Sequence, residues 1–354
     1  MNKYFFNKYL IKNVFLLSYV IILDFFFYIF FYFRRQFILK DPKNIIICNL
    51  GHIGDVLYTL TLVENIKQKY PNAEIDFLCG SYSSELVKKN KLIKNIVIID
   101  HWLLNRDQKN IFIKIYQYIY SLYLFFKKIK YRHYDLCINF FPFYPNPVLF
   151  LKFLGTKFII SFNSSGFNFL NDSSTLWKLK KQHTLLYNYE LLSLLGIKNK
   201  NPLNIKNNFL SYKKNLDHKS KTVCIHPCSL SIIKEWDINK WIDVINFLNK
   251  NNFICLITGN GNREEEYAQN LLKMISDKNK TFNYSNKLSF EEYCGVINSS
   301  SFVVTVDTLT VHIANLFKKE TIVIRPGITL DQHWMPITKG SSILRYNTEC
   351  YPCL

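Results

Sequence analysis

With 354 residues, 49% of them hydrophobic and 16% aromatic, the chain is long enough for two ordinary domains and can bury a large core. Its formal charge of +19 is spread along the sequence and suits nucleic acid, an anionic membrane or an anionic substrate. Zinc-finger spacing and the aromatic-glycine signature of an RNA-recognition module are both missing, so nucleic acid is the weakest of the three. The nine cysteines are odd in number, and several lie inside apolar strand-like runs, which suits reduced core thiols. Cys350 and Cys353 form one C-x-x-C at the end of the sequence, weak evidence for zinc without a second pair or histidines.

Residues 14–33 are almost unbroken Val, Ile, Leu, Phe and Tyr, with Ser18 and Asp24 the strongly polar interruptions. This length matches a bilayer-spanning helix. Lys3, Lys8 and Lys12 precede it, and Arg34, Arg35 and Lys40 follow, with no small-residue cleavage site. Residues 1–40 therefore read first as an N-terminal membrane anchor. Asp24 would be costly in lipid, and a helix lying in the interface is the second reading. Basic residues on both sides leave the orientation undetermined. A cytoplasmic nucleotide substrate would put Arg34 and Arg35 inside.

Residues 44–57 read as a buried strand, a glycine turn and a helix that begins with an acid. The run 45–48 is apolar and rich in β-branched residues, bounded by Asn44 and Asn49, as in a parallel strand covered on both faces. Gly51 and Gly54 allow a tight turn, and Val56, Leu60 and Val63 share one helical face, with Ile66 close by. Asp55 sits where strand gives way to helix, the edge that carries ligands in open α/β sheets. On these residues alone it reads first as a helix-start acid and second as a base. Strands follow at 74–80 and 96–99, the βαβ pattern of a parallel sheet.

The stretch 111–126 is a helix whose apolar residues are interrupted by Lys114, Gln117 and Ser121, all on one narrow stripe. Lys127, Lys128, Lys130 and Arg132 come next. A helix buried in the domain and an aromatic–basic surface leaning on anionic lipid explain it equally well. Further strands are expected at 134–140 and 157–161, a short helical stretch at 151–155, and a helix at 183–195 that stops at Gly196. Residues 44–198 thus form a first α/β domain. The Asn/Lys-rich stretch 199–221 is the linker, 222–336 is a second domain, and 337–354 is a tail.

In the second domain, strands are expected at 222–226, 253–258, 302–306 and 321–324, the last closed by Pro326-Gly327. Trp241, Val244, Ile245 and Leu248 line one helix face. Glu264, Glu265 and Glu266 start a second helix, and Ser289 with Glu292 form a capping box for a third. Two α/β halves, each with polar strand-to-helix turns, suggest a cleft between them. Ser229, Lys234, Thr308 and the backbone N–H groups of a helix start suit a nucleotide diphosphate. The sequence has no G-x-x-x-x-G-K-[ST], no G-x-G-x-x-G after the first strand and no D-x-D. These absences argue against a P-loop enzyme, a dinucleotide oxidoreductase and a carboxylate-held metal on the donor.

Several motifs then fall in one order. Gly54-Asp55-Val56 follows the first strand, with Tyr70-Pro71-x-Ala73-x-Ile75 and Tyr134-Asp135-Leu136 downstream. His226-Pro227-x-Ser229, Lys234-x-Trp236, Gly259 with Glu264 and Glu265, and Val306-Asp307-Thr308-x-x-x-His312-x-Ala314 complete the set. Over residues 44–336 the chain resembles the heptosyltransferases of glycosyltransferase family 9. The resemblance implies a GT-B-like α/β fold of two Rossmann-like, doubly wound domains facing a cleft. It also implies inverting, metal-independent transfer of a sugar, usually a heptose from an ADP-sugar. The acceptor would be a lipopolysaccharide core or related lipid-linked glycan at the cytoplasmic face of a bacterial inner membrane. No cofactor is implied beyond the nucleotide-sugar donor. By position, Asp55 would be the general base, and Gly51, His52 and Gly54 the acceptor-side loop. Ser229 and Lys234 would hold the donor phosphates, with Lys234 offsetting charge on the leaving group. Glu264 or Glu265 would contact the ribose or base, while Asp307, Thr308 and His312 would line the sugar and diphosphate site.

Each of these residues has a plainer role open to it. His312 fits a core helix, Asp307 and Thr308 an N-cap pair, Lys234 a solvated surface, and Trp236 a core anchor. Three features depart from the family pattern. Leu309 stands where glycine usually follows Asp-Thr, His52 stands where small hydroxyl residues are usual, and the N-terminal hydrophobic helix is additional. Leu309 leaves open a catalytically weak, membrane-anchored sugar-nucleotide or lipid-binding protein that retains the fold.

Overall fold

Short runs of Val, Ile, Leu and Phe that are apolar on both faces suit interior strands with helices on either side. The computed structural model describes residues 9–11, 13–32, 37–105, 109–129, 132–177, 182–212, 221–325 and 333–345, and there such runs build two six-stranded sheets, every pairing parallel. The chain divides into two units, Met1–Pro202 and Leu203–Leu354.

The first unit opens with helix α1 (Val14–Phe30), then β1 (Asn44–Cys48), α2 (Ile53–Leu60), α3 (Val63–Lys69), β2 (Glu74–Cys79), α4 (Ser81–Lys88) and β3 (Asn95–Ile98). It continues with α5 (Ile111–Ile129), β4 (Leu136–Asn139), α6 (Val148–Phe153), β5 (Phe158–Phe162), β6 (Ser173–Thr175) and α7 (Thr184–Ser193). The strand order is β3-β2-β1-β4-β5-β6, so the winding reverses between β1 and β4. The helix expected to run through Val56, Leu60, Val63 and Ile66 is broken at Thr61, whose hydroxyl donates to the Tyr58 carbonyl at 2.6 Å. All four apolar residues are nevertheless fully buried. In-register residues Ile46, Cys137 and Ile159 lie on one face of the sheet, in one core with Phe125 and Ile129 of α5 and Val148 and Leu151 of α6. Leu23 and Phe27 of α1 pack against the same core.

The membrane-spanning anchor expected over 14–33 is corrected here. Helix α1 has 17 residues, and among the described residues no helix is long and apolar enough to cross a membrane. Asp24, the residue that would be costly in lipid, faces the protein: its carboxylate accepts from the Tyr9 hydroxyl at 2.8 Å and from the Phe167 backbone N–H at 2.6 Å. Val20 packs so tightly on the neighbouring loop that a Cβ on Gly166 would come within 3.0 Å of it, and Gly166 also has φ +81°. The acid fastens the helix to the unit. Phe33, Arg34, Arg35 and the basic residues Lys3, Lys8 and Lys12 lie outside the described residues.

The second unit runs β7 (Thr222–His226), α8 (Ile238–Lys250), β8 (Ile254–Ile257), α9 (Asn262–Met274), β9 (Thr281–Asn283), α10 (Phe290–Ser299), β10 (Phe302–Val306), α11 (Leu309–Leu316), β11 (Thr321–Ile324) and β12 (Ser342–Leu344). Its order, β12-β11-β10-β7-β8-β9, places the reversal between β7 and β10. Trp241, Ile245 and Leu248 of α8 are buried against Val223, Ile225 and Cys255. Helix α10 starts at the expected capping box: the Ser289 hydroxyl accepts from the Glu292 N–H, and the Glu292 carboxylate accepts from the Ser289 N–H. The described cysteines, Cys48, Cys79, Cys137, Cys224, Cys228, Cys255 and Cys294, are buried thiols. Pro326, Gly327, Lys130, Cys350 and Cys353 lie outside the described residues.

Candidate active site

Ligands of open α/β sheets gather beyond the carboxyl ends of the strands where the winding reverses. In the first unit that place is the turn after β1. Asn49 organises it: its side-chain oxygen accepts from the Gly51 N–H at 2.8 Å, and its amide donates to the Thr59 hydroxyl at 2.8 Å and to the Asp55 carbonyl at 3.3 Å. Half-buried Asp55, in the first turn of α2, accepts from the His52 backbone N–H through Oδ2 at 3.1 Å. The helix-capping role is therefore real. A Cβ at Gly51 would lie 2.9 Å from both Asp55 Cβ and Oδ2, so glycine lets the backbone pass directly over the carboxylate. The His52 ring is 6.2 Å from that of Tyr82, whose hydroxyl donates to the Leu50 carbonyl at 2.6 Å. Gly54 is buried within the first turn of the helix.

In the second unit the reversal falls between β7 and β10, and the residues that follow those two strands meet. Lys234, at the end of a short turn after β7, donates from Nζ to Asp307 Oδ2 at 3.1 Å and lies 3.3 Å from the Asp307 carbonyl oxygen. Asp307 directly follows β10. Arg325, directly after β11 and with its side chain 1% exposed, reaches the same carboxylate oxygen at 3.7 Å. Burial works against ionising Asp307, yet the nearby charges of Arg325 and Lys234 prevail and hold its carboxyl below the usual range. His312, one turn into α11, is buried, and burial pushes its imidazole down to about 4, so it is neutral at pH 7. Thr308 caps α11, its hydroxyl accepting from the Thr310 N–H at 3.3 Å. Leu309 begins that helix and is half-buried.

Ser229 and Glu264 belong to an adjoining brace. The Ser229 N–H donates to Glu235 Oε1 at 2.8 Å, and Arg263 donates to both Glu235 oxygens, at 2.6 and 3.0 Å, and to the Ser229 carbonyl at 2.6 Å. This two-pronged pairing fixes the loop that carries Lys234 against the start of α9. Glu264 is buried and accepts from the Asn260 N–H at 2.8 Å; burial raises its carboxyl above the usual range. Glu265 instead accepts from Asn286 at 3.0 Å.

The sequence reading thus names Lys234, Asp307 and His312, and the fold gathers them. It missed Arg325, which completes the cluster, and the Glu235–Arg263 pair. Arg325 had a faint signal: a lone arginine at the end of an apolar strand, just before Pro-Gly. Arg263 had none, because its partner is 28 residues away in the sequence. Among the described residues, no three His, Cys, Asp or Glu side chains are grouped as a metal site.

A family model described as glycosyltransferase family 9 (heptosyltransferase) matches residues 122–354. The chain is similar to the lipopolysaccharide core heptosyltransferase OpsX of Haemophilus influenzae, 23% identical over 281 residues that cover 77% of this chain and 76% of the relative. Among solved structures it is similar to a family 9 glycosyl transferase from Veillonella parvula, at 15% identity, a TM-score of 0.70 and 86% coverage of each chain. It is also similar to the E. coli heptosyltransferase WaaC with ADP, at 15% identity and a TM-score of 0.64, covering 86% of this chain and 91% of that one. The likeness in structure carries the fold, which is α/β of the GT-B type with two parallel six-stranded, Rossmann-like sheets.

Proposed function

The chain belongs to glycosyltransferase family 9 (heptosyltransferase), and on that premise we propose that this glycosyltransferase moves a heptose from an ADP-sugar, with inversion and without a metal, onto a lipopolysaccharide core or related lipid-linked glycan. The reaction takes place at the cytoplasmic face of a bacterial inner membrane. Residues 44–198 handle the acceptor and 222–336 the donor, joined by the linker 199–221 and followed by the tail 337–354. The relatives support the donor and acceptor classes: one is named a lipopolysaccharide core heptosyltransferase, and one was solved with ADP.

The observation that carries the reading is the Lys234–Asp307–Arg325 cluster at the reversal between β7 and β10. In the mechanism, Asp55 takes the proton of the acceptor hydroxyl as its oxygen attacks the anomeric carbon. The bond from that carbon to the donor diphosphate breaks, and the diphosphate leaves with the electron pair. Lys234 turns from Asp307 toward the leaving phosphate and offsets its growing charge. Arg325 stays with Asp307, so the carboxylate keeps a cation when the lysine swings. Ser229 contacts the phosphates from the braced loop, and Glu264 or Glu265 contacts the ribose or base. Asp307, Thr308 and neutral His312 line the sugar and diphosphate site, and Gly51, His52 and Gly54 shape the acceptor side. Leu309, in the place of the family's usual glycine, denies a phosphate close approach to the backbone and tunes the donor.

Purified protein given ADP-heptose and a lipopolysaccharide core acceptor is expected to release ADP in step with product, and Asp55→Asn to abolish this. Release of UDP from a UDP-sugar in its place would correct the donor. Full activity in Asp55→Asn would remove Asp55 as the base.

A further inference from the structure

A helix on a water-soluble surface turns its polar side outward. Helix α5 does the reverse. Its polar stripe faces the protein: Lys114 donates to the Asn105 carbonyl at 3.0 Å, Gln117 accepts from the Asn105 side chain at 3.2 Å, and the Ser121 hydroxyl accepts from the Asp100 N–H at 3.0 Å. Its outward side is Phe112, Tyr116, Ile119, Tyr120 and Tyr123, with Phe112 75% exposed. Helix α1 repeats the inversion. Asp24, its one acid, points inward, while Phe15, Ile22, Phe25, Phe26 and Phe30 point outward, Phe15 88% exposed.

The two helices rest on the same face of the first sheet, their inner residues sharing one core. Phe150 and Phe153 of α6 bridge them: Phe150 meets the rings of Phe125 and Phe126, and Phe153 meets those of Phe27, Phe30 and Phe31. Neither helix carries an exposed acid, and α5 ends in the exposed pair Lys127 and Lys128, the second of which donates from Nζ to the Ile96 carbonyl. Aromatic side chains with a cationic margin and no acid complement an anionic bilayer surface.

We propose that the outward faces of α1 and α5 form one monotopic docking surface that seats the first unit on an anionic lipid bilayer, without crossing it. This deepens the reading of a lipid-linked acceptor and rests on it for its purpose, while vesicle binding without donor tests the surface by itself. The outward residues enter the headgroup–acyl boundary, and the two lysines meet lipid phosphates. The Asp24 bond to Phe167 keeps α1 on the protein, so that its outer face reaches the lipid sideways. Each basic residue at an anionic surface is worth roughly fivefold in binding.

The test is flotation of the full chain with vesicles of phosphatidylglycerol and phosphatidylcholine, against phosphatidylcholine alone. The wild type is expected to float with the anionic vesicles and to do so less at high salt. Lys127→Gln with Lys128→Gln should weaken this about 5- to 25-fold, one fivefold step for Lys127 and up to a second for Lys128, which must leave the Ile96 carbonyl to reach lipid. Phe112→Glu, Tyr116→Glu and Tyr120→Glu together should abolish it, with the thermal midpoint kept because all three side chains are exposed. The triple variant should still transfer sugar to a short, detergent-free core fragment, so a failed surface and a failed enzyme give different results. A wild type that stays at the bottom of the gradient overturns the proposal. So does a triple variant that floats like the parent, or a wild-type dimer in sedimentation velocity that the triple variant dissociates while neither binds vesicles.

Discussion

Lys234 Nζ lies 3.1 Å from Asp307 Oδ2, and Arg325 approaches the same oxygen at 3.7 Å from a side chain that is 1% exposed. The carboxylate therefore has one partly exposed cation and one buried in the core. Asp307→Asn takes a counter-charge from a buried guanidinium and is expected to cost up to about 3–5 kcal/mol in urea unfolding. Adding Arg325→Met should recover part of that loss. If Asp307→Asn unfolds at the wild-type urea concentration, the carboxylate does not balance Arg325.

Lys234→Gln should behave differently. Asp307 keeps Arg325, so stability should fall by less than in Asp307→Asn. If the ammonium meets charge that develops as the diphosphate leaves, kcat should fall on the order of 10²–10³-fold with little change in donor KM. A rise in KM at constant kcat would assign Lys234 to ground-state binding only.

Gly51→Ala tests the first-unit turn. The new Cβ would sit 2.8 Å from Asn49 Oδ1 and 2.9 Å from Asp55 Oδ2, so the carboxylate or the turn must move. A displacement of about 1 Å at a catalytic group can cost on the order of 10²-fold in rate. The expected result is that loss in kcat, with donor-induced thermal stabilisation unchanged, as follows from the proposal that the second unit holds the donor. Wild-type turnover in Gly51→Ala would show that the position of Asp55 is not critical.

Mild acid should weaken the fold through its buried histidines. Burial pushes the imidazoles of His101, His226 and His312 down to about 4, from an ordinary value near 6.5. Between those values the unfolded chain binds protons that the folded chain refuses, so stability held above pH 6.5 is lost as pH falls toward 4. Each histidine contributes up to about 1.4 kcal/mol per pH unit in the middle of that window. Urea midpoints measured from pH 7 to pH 4.5 should fall, and His312→Gln should flatten the slope. A flat profile would mean that these rings titrate normally.

Asp24→Ala should loosen α1. Two buried donors, the Tyr9 hydroxyl and the Phe167 N–H, lose an acceptor at a cost of about 1–3 kcal/mol. Limited proteolysis should then cut within residues 9–32 well before the sheet opens. Equal protection in both proteins would show that apolar packing alone holds the helix.

The fold was largely legible because parallel strands and their turns leave local marks. The runs at 45–48 and 302–306, the Gly51–Asp55 turn and the Ser289–Glu292 box each report on their own few residues. Lys234 and Asp307 could be named because both follow strands, but not paired, since 73 residues separate them. Arg325 and Arg263 escaped because an arginine is judged by its partner, and the partners are distant in sequence. Residues 14–33 misled for a related reason. Length and hydropathy describe a helix alone, whereas Asp24 finds its donors at Tyr9 and Phe167. In the same way, periodicity located the polar stripe of α5 but could not say which side of it faced water.

The bond from Asp24 to Phe167 spans 143 residues, which sets an order of events during synthesis. At roughly 5–20 residues per second, the α1 segment precedes the backbone donor of its acid by about 7–30 s. Over that interval the ribosome displays a phenylalanine-rich segment whose cradle has not yet been made. Whatever receives nascent apolar helices in the cell therefore meets α1 before either sheet is complete.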